Sequence, residues 1–290
     1  MIRLVAIDID GTLLDSRWQL PDRNRDAVCA AVDAGVEVAL VTGRMAGFAQ
    51  PVVDLLPCPV TAIVSNGAVV KSPDGTTEVR HLVPRDVAKS ILAAAAEWPD
   101  RAALVFDRPR DGQMVIERID RSDPLRRAYA ERNRALVREV EPLDAALTED
   151  PIVVMFNGPV AAMRELAGRL RGLPTAGSFS VNLTEYESRD VLFIDVLAAG
   201  CTKGATLAAW SRRQGYARDE VMALGDNLND MEMLETAGRP VVMGNAVPAL
   251  LGRGWPVTTT NDEAGVAAAI DEYVLADRRA GLRSAADRSK

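Results

Sequence analysis

The sequence predicts an α/β protein whose parallel-sheet core is interrupted by an inserted α+β domain. Three observations lead to this prediction. Apolar runs alternate with helical patterns at the start of the chain, the pattern changes after Pro84, and buried-strand runs return from Val191. Strands that alternate with helices favour a parallel sheet with right-handed crossovers. We assign residues 1–83 and 189–290 to the core and residues 84–188 to the inserted domain.

The first core segment is predicted to alternate strands and helices and to end in a hairpin. Short apolar runs bounded by polar residues indicate buried strands, and apolar residues at helical spacing indicate the helices between them. Pro73-Asp74-Gly75 supplies the turn of the hairpin. The predicted strands are Leu4 to Ile9, Val36 to Val41 and Val60 to Val64, and the first helix is Pro21 to Ala34.

The inserted domain is predicted to mix strands and helices, including an arginine-rich helix near 124–140. The remaining predicted elements of this domain are a helix from Asp86 to Trp98, strands near 102–106 and 113–119, the unit Ile152 to Phe156 and Val160 to Leu170, and a strand near 178–184. Core strands are then expected at Val191 to Val196, Val221 to Leu224 and Val241 to Met243. The charged tail after Leu275 is weakly patterned and is expected to be a frayed helix or disordered.

Composition narrows the classes of partner. Of the 290 residues 48% are hydrophobic and 26% charged, which is typical of a globular protein. A net charge of −7 argues against duplex nucleic acid and anionic membranes as partners, because both require basic surfaces. No apolar run approaches the roughly 20 residues of a membrane-spanning helix. We expect a cytoplasmic protein, monomeric or homodimeric, without nucleic-acid or membrane partners.

The three cysteines, Cys29, Cys58 and Cys201, are odd in number and widely spaced, and no CxxC pair occurs. This pattern argues against a disulfide framework and against a zinc site. We therefore expect three reduced thiols.

Two aspartates follow the first predicted strand. Asp8 and Asp10 are separated by one residue and precede Gly11, which permits a sharp turn. Ligands of open α/β sheets bind at the carboxyl ends of strands, and two carboxylates there could divide the tasks of nucleophile and proton carrier. The alternative interpretation is a polar turn that only closes a buried strand.

Asp226 and Asp230 follow another predicted strand, within Gly225 to Asp230. With Asp8 and Asp10 they would place four carboxylates at one sheet edge, where a cation is needed to offset their repulsion. Oxygen ligands without histidine or thiolate indicate Mg²⁺ rather than zinc. An asparagine in this segment is also expected to cap the following helix, which does not conflict with a metal site.

Two further segments suit an anionic ligand. The hydroxyl of Thr42 and the backbone N–H groups around Gly43 follow the second predicted strand and could bind phosphate oxygens. Lys203 lies at a predicted helix start, where the helix dipole already favours an anion. Only four of the 34 basic residues are lysine, so this lysine is more informative than usual. A solvated surface lysine remains the alternative.

Taken together and in order, these segments resemble the four motifs of the haloacid dehalogenase (HAD) superfamily. They read DIDGTLL at 8–14, VTGR at 41–44, TKG at 202–204 and GDNLND at 225–230. The finer resemblance is to Cof-type phosphatases with an inserted C2B cap, supported by SNGA at 65–68 and MGNA at 243–246. Asn227 departs from the glycine that is commonest at its position.

The resemblance implies a Rossmann-like core, an inserted cap and a Mg²⁺-dependent phosphatase of small phosphorylated metabolites. It assigns Asp8 as nucleophile and Asp10 as general acid and base. It also assigns Mg²⁺ to Asp8, the Asp10 backbone carbonyl and Asp226, and places Asp230 behind them or beside the lysine. Phosphate or substrate binding is implied for Thr42, Gly43, Lys203 and Asn229.

Two other functions stay open at this point. One is a phosphomutase of the phosphomannomutase type, which would pass the phosphoryl group to a second hydroxyl instead of water. The other is a catalytically idle protein that binds a phosphorylated ligand on the same fold. The carboxylates and the lysine of the motifs argue against the idle protein.

Overall fold

A computed structural model of the protein describes residues 1–109, 111–119, 127, 131–186 and 190–276. The chain forms two compact units. The first comprises Met1–Arg44, Phe48–Glu78 and Thr202–Lys290, and the second comprises Met45–Gly47 and Val79–Cys201. Both units contain strands and helices, which confirms the predicted α/β class with an insertion.

The first unit is built on a seven-stranded sheet with the order β13-β12-β1-β2-β3-β4-β5. All neighbouring pairs from β13 to β3 are parallel, and β4 runs antiparallel to β3. Its strands are β1 (Leu4–Ile7), β2 (Glu37–Val41), β3 (Thr61–Val64), β4 (Val69–Lys71), β5 (Thr77–Arg80), β12 (Val221–Gly225) and β13 (Arg239–Val242); the last two residues of β5 belong to the second unit. The predicted hairpin is β4 and β5.

The central strand β1 explains why this sheet forms. All four of its residues are apolar and fully buried, as expected of a parallel strand covered on both faces. Ile7 lies opposite Leu40 of β2 on one side and opposite Leu224 of β12 on the other. This register brings the carboxyl ends of three strands to one edge of the sheet.

Helices accompany this sheet in the first unit. The end of α1 (Asp22–Asp33) is marked in the sequence by a glycine. Gly35 has a φ of +78° just after α1, a conformation that favours glycine where a helix ends. Across the described ranges, no helix combines the length and apolar character needed to cross a bilayer. The helices of this unit are α1 (Asp22–Asp33), α2 (Ala46–Val53), α5 (Lys203–Arg213), α6 (Met231–Thr236), α7 (Pro248–Leu251) and α8 (Gly265–Ile270); the first residues of α2 belong to the second unit.

The second unit contains a six-stranded sheet with the order β10-β11-β9-β6-β7-β8. Helices α3 (Arg85–Ala94) and α4 (Val160–Arg171) share a buried apolar cluster with it, in which Ile91, Leu166 and Phe156 are fully enclosed. Its strands are β6 (Ala102–Val105), β7 (Met114–Ile116), β8 (Val137–Glu139), β9 (Val153–Gly158), β10 (Phe179–Tyr186) and β11 (Val191–Ala198).

The strand from Val191 does not return to the core sheet, so this prediction is wrong. It forms β11, which pairs antiparallel with β9 and β10 of the second unit. Leu192, Ile194 and Val196 are buried while Phe193 and Asp195 between them are partly exposed, the alternation of a sheet covered on one face. The second unit accordingly extends to Cys201 instead of ending at residue 188.

The arginine-rich helix predicted near 124–140 is also partly wrong. Its last turn is the strand β8 (Val137–Glu139), which pairs in parallel with β7. Val137 lies opposite Met114 and Glu139 lies opposite Ile116, so these residues form an edge strand of the sheet and not a helical turn. Residues 124–126 and 128–130 of the predicted helix lie outside the described residues, as does the tail from residue 277.

The cysteines do not remain three thiols. Cys29 of α1 and Cys58, just before β3, form a disulfide with Cα atoms 5.4 Å apart, while Cys201 is buried outside this bond. The spacing of the cysteines along the chain does not indicate this pair. It forms because α1 packs against β2 and β3 lies beside β2, which brings the two cysteines together. The odd number of cysteines was therefore no guide to pairing.

Candidate active site

The predicted carboxylates and phosphate-binding residues follow neighbouring strands of the first unit. Asp8 comes directly after β1, Thr42 directly after β2 and Asp226 directly after β12. Because these strands are parallel neighbours, the three residues lie at one sheet edge. The sequence thus predicted correctly that these segments end at the same edge.

Lys203 connects two of the carboxylates. It is the first residue of α5, whose preceding Thr202 accepts a hydrogen bond from the backbone N–H of Ala205 at 3.0 Å. The Lys203 Nζ donates to Asp8 Oδ1 at 2.6 Å and to Asp230 Oδ1 at 2.7 Å. Its side chain is only 1% exposed, so it is not a solvated surface lysine.

Asp230 is fully buried and accepts hydrogen bonds with both of its carboxylate oxygens. One of its carboxylate oxygens accepts from Lys203, and the other accepts from the backbone N–H groups of Asp226 and Asn227 at 3.1 and 3.2 Å. A Cβ at Gly225 would lie 2.5 Å from the Asp230 Cβ, so only glycine fits there. With both oxygens engaged, Asp230 positions the lysine and the Asp226 turn.

Burial and mutual repulsion shift the acid–base equilibria of these groups. Burial, together with the Asp230 carboxylate, raises the pKa of Asp8 well above its ordinary value. The same two causes raise the pKa of Asp226 to about 7. Burial alone would lower the pKa of Lys203, but the Asp230 and Asp8 carboxylates outweigh it and raise that pKa. The lysine therefore stays charged. The raised pKa values of Asp8 and Asp226 show that burial and the neighbouring carboxylates disfavour their negative charges, which a further cation would stabilise.

The donor set fits a hard divalent cation. One carboxylate oxygen each from Asp8, Asp226 and Asp230 lies within 4.8 Å of the others. The Lys203 ammonium is hydrogen-bonded to Asp8 and Asp230 only, so one positive charge offsets the three carboxylates incompletely. Oxygen donors of this kind suit Mg²⁺ better than zinc.

The Asp10 carboxylate is hydrogen-bonded to Arg44 and not to Lys203. Arg44 donates from Nε to Asp10 Oδ2 at 2.9 Å and from Nη2 to Asp10 Oδ1 at 2.5 Å. This two-bond pairing fixes the plane of the carboxylate. The Asp10 side chain is 33% exposed, whereas that of Asp8 is 6% exposed. The two aspartates of the first motif therefore occupy distinct environments.

The turn that follows these aspartates is tightly built. Gly11 has a φ of +84°, and a Cβ there would lie 2.3 Å from Asp226 Oδ2. Thr12 donates its hydroxyl to Asp226 Oδ1 at 3.1 Å, and Asn245 donates its amide to the Gly11 carbonyl at 2.8 Å. These contacts hold the first motif against the turn after β12.

Thr42, Gly43 and Asn229 belong to the same edge by position. Thr42 is fully buried and its hydroxyl accepts from the Arg44 N–H at 3.1 Å. Gly43 is exposed, and Asn229 is partly exposed in the turn Leu228–Asp230. Their roles toward a substrate stay predictions.

Sequence reasoning missed three residues that build this site. Arg44, Thr12 and Asn245 all lie inside segments that carried the family resemblance, which was the available signal. Their partners could not be read from the chain, because each contact joins loops after different strands.

Comparison with known proteins decides the family. A family profile described as haloacid dehalogenase-like hydrolase matches residues 5–270. The chain belongs to the haloacid dehalogenase-like hydrolases. It is 32% identical over 251 residues to the HMP-PP phosphatase of Serratia proteamaculans (strain 568), covering 86% of each chain. It is 25% identical to the 5-amino-6-(5-phospho-D-ribitylamino)uracil phosphatase YwtE of Bacillus subtilis (strain 168), covering 94% of this chain and 98% of that protein.

Solved structures of this family share the fold. A haloacid dehalogenase-like hydrolase from Bacteroides thetaiotaomicron superposes with a TM-score of 0.78 at 24% identity, covering 93% of this chain and 99% of that one. The predicted Rossmann-like core with an inserted cap is thereby confirmed. The predicted enzyme class, a phosphatase of the haloacid dehalogenase superfamily, is confirmed by the relatives above.

Proposed function

We propose that this phosphatase is a Mg²⁺-dependent phosphomonoester hydrolase that acts through an aspartyl-phosphate on Asp8. The observation that carries the proposal is the buried Lys203 Nζ, 2.6 Å from Asp8 Oδ1. A carboxylate paired with a buried ammonium at the open edge of a parallel sheet can meet a phosphate dianion without prohibitive repulsion. A carboxylate nucleophile in that position splits hydrolysis into two easier displacements.

The first displacement uses both aspartates of the first motif. An Asp8 carboxylate oxygen attacks phosphorus while the bond from phosphorus to the ester oxygen breaks. Asp10 gives its proton to that departing oxygen, so the product leaves as an alcohol. Lys203 and Thr42 bind the phosphoryl oxygens, with the backbone at Gly43 and the Asn229 side chain beside them.

The second displacement restores the enzyme. Asp10, now a carboxylate, takes a proton from a water molecule whose oxygen attacks phosphorus. The bond between phosphorus and the Asp8 oxygen breaks, which releases phosphate and regenerates the Asp8 carboxylate. Arg44 supports this step because its two hydrogen bonds aim the Asp10 carboxylate.

Asp8, Asp226 and the backbone carbonyl of Asp10 hold Mg²⁺ in this proposal, and Asp230 positions the other groups. The closeness of the Asp8 and Asp226 oxygens supports this assignment. When bound, Mg²⁺ offsets negative charge on the transferring phosphoryl group. Because the pKa of Asp226 is raised to about 7, protonation of this carboxylate competes with metal binding as the pH falls.

The substrate class is a small phosphorylated metabolite. Relatives named as phosphatases of HMP-PP and of 5-amino-6-(5-phospho-D-ribitylamino)uracil support this class. Sugar phosphates belong to the same broad class, and the residues around Asp8 recognise the phosphate group that all of them share.

Phosphate release from p-nitrophenyl phosphate tests the proposal. Wild type should turn over with Mg²⁺, stop with EDTA and recover when Mg²⁺ is restored. Asp8→Asn should remove the activity, because an amide oxygen is a poor nucleophile. Asp33→Asn, an exposed carboxylate at the end of α1, is the matched control and should behave as wild type.

The same assay separates the two alternatives. A phosphomutase would transfer the phosphoryl group to an added sugar phosphate in preference to water, and an idle protein would bind phosphate without turnover. Metal-independent turnover, or an Asp8→Asn variant as active as wild type, contradicts the mechanism proposed.

A further inference from the structure

Residues 15–19 form a short turn that contains Trp18, whose backbone conformation and exposure are unusual for a tryptophan. Asp15 organises this turn: its backbone N–H donates to the Gln19 carbonyl at 2.9 Å, and its carboxylate accepts from the N–H groups of Gln19 and Arg17 at 2.8 and 2.9 Å. The Trp18 N–H donates to the Asp15 carbonyl at 3.0 Å. These hydrogen bonds, that from Gln19 foremost, also lower the pKa of Asp15. The backbone around Trp18 is therefore fixed.

Trp18 is both strained and exposed. Its φ of +63° lies in the left-handed region, which is unfavourable for a bulky side chain. The residue is 61% exposed, so burial does not compensate for the strain. A strained backbone that presents a large apolar ring to solvent is a feature associated with ligand binding.

The position of the indole links it to the reaction. The Arg44 guanidinium carbon lies 5.7 Å from the centre of the Trp18 ring, within cation–π range. The same guanidinium donates two hydrogen bonds to Asp10 and a third, from Nη1, to the Phe48 carbonyl at 3.4 Å. Arg44 thus lies between the indole and the carboxylate that we propose to protonate the leaving group.

We propose that Trp18 is a stacking platform for a planar ring in the leaving group, so that the preferred substrates are phosphate monoesters carrying an aromatic or heteroaromatic ring. This inference rests on the proposed function, because that function places the ester oxygen beside Asp10. A substituent on that oxygen that extends past Arg44 meets the exposed indole. Flat rings stack on indole more favourably than puckered ones of equal size.

Two matched substrates test the platform: benzyl phosphate and cyclohexylmethyl phosphate. Both release a primary alcohol and have the same number of carbon atoms, but only the first carries a planar ring. We expect wild type to show a KM several-fold lower for benzyl phosphate. Trp18→Asn keeps a residue that tolerates positive φ but removes the ring, and should raise the KM for benzyl phosphate about 3- to 10-fold.

The controls separate stacking from a structural role. Trp18→Phe retains an aromatic face and should recover most of the preference for benzyl phosphate. Leu55→Asn removes another large apolar side chain, 54% exposed, and should leave the KM ratio at the wild-type value. A Trp18→Asn variant that keeps the wild-type KM ratio, or raises both KM values equally, overturns the inference. If wild type hydrolyses neither substrate with Mg²⁺, the proposed function fails instead.

Discussion

The proton transfers of the proposed reaction depend on a single side chain, Asp10. Asp10→Asn should lower kcat/KM on an alkyl phosphate by about 10²–10⁴-fold, the usual range for general acid–base catalysis. The loss should be smaller on p-nitrophenyl phosphate, whose leaving group departs without a proton. Steady-state kinetics on both substrates checks this, and equal losses on the two contradict the role of Asp10 as an acid.

Arg44 should act through Asp10 and not independently. Arg44→Ala should lower kcat/KM on the alkyl phosphate about tenfold or more, because the carboxylate loses both hydrogen bonds that orient it. In an Asp10→Asn background the same change should cost little further activity. Arg25→Ala, which breaks exposed ion pairs on α1, is the control. Additive losses in the double variant would mean that Arg44 has another role.

At the residue scale, the sequence predicted the charged groups better than their partners. Asp8, Asp226 and Lys203 were identifiable because they follow strands or begin a helix in a recognisable order. Lys203 also stood out as one of few lysines, whereas Arg44 is one of 30 arginines. The pairing of Arg44 with Asp10 depends on how two loops fold back after neighbouring strands, and no local pattern encodes that.

At the element scale, two turns can be compared through their glycines. Gly11 lies in the turn after β1, and Gly75 lies in the turn between β4 and β5. Gly11 and Gly75 have nearly equal φ values of +84° and +83°, but a Cβ would touch Asp226 at the first and nothing within 4 Å at the second. Replacing either by alanine should cost about 1 kcal/mol of stability through backbone strain. Only Gly11→Ala should also lose activity, by about 10²-fold, because Asp226 is displaced.

Urea unfolding and phosphatase assays on the two variants check this prediction. Loss of activity in Gly75→Ala comparable to that in Gly11→Ala would show that strain alone is responsible. An active Gly11→Ala variant would show that the Asp226 carboxylate can move without consequence.

One strand was assigned to the wrong sheet, and the reason is physical. The apolar run at Val191–Ala198 has the composition of a core strand, and sequence alone does not say which of two sheets it joins. Its alternating burial becomes visible only once its partners β9 and β10 are known. Strands β1 and β2 were predicted correctly because their continuous burial and their polar ends agree with each other.

At the scale of the whole molecule, the disulfide between Cys29 and Cys58 should contribute to stability. It closes a loop with a sequence separation of 29, for which the chain-entropy model gives about 3–4 kcal/mol. Dithiothreitol should therefore lower the urea midpoint of wild type. A Cys29→Ser/Cys58→Ser double variant should match reduced wild type and not respond to dithiothreitol, while Cys201→Ser should keep the response. Equal midpoints with and without reductant contradict the prediction.

The strand order also dictates when this enzyme can be completed during synthesis. β1 is translated well before one of its two neighbours, β12, which begins only at Val221. Most of the second unit is one continuous stretch, Val79–Cys201, and is available before Lys203 and Asp226 have been translated. A nascent chain therefore carries Asp8 on an incomplete sheet until the residues of β12 have been made. Chaperones that shield apolar edges would have their greatest effect during that interval.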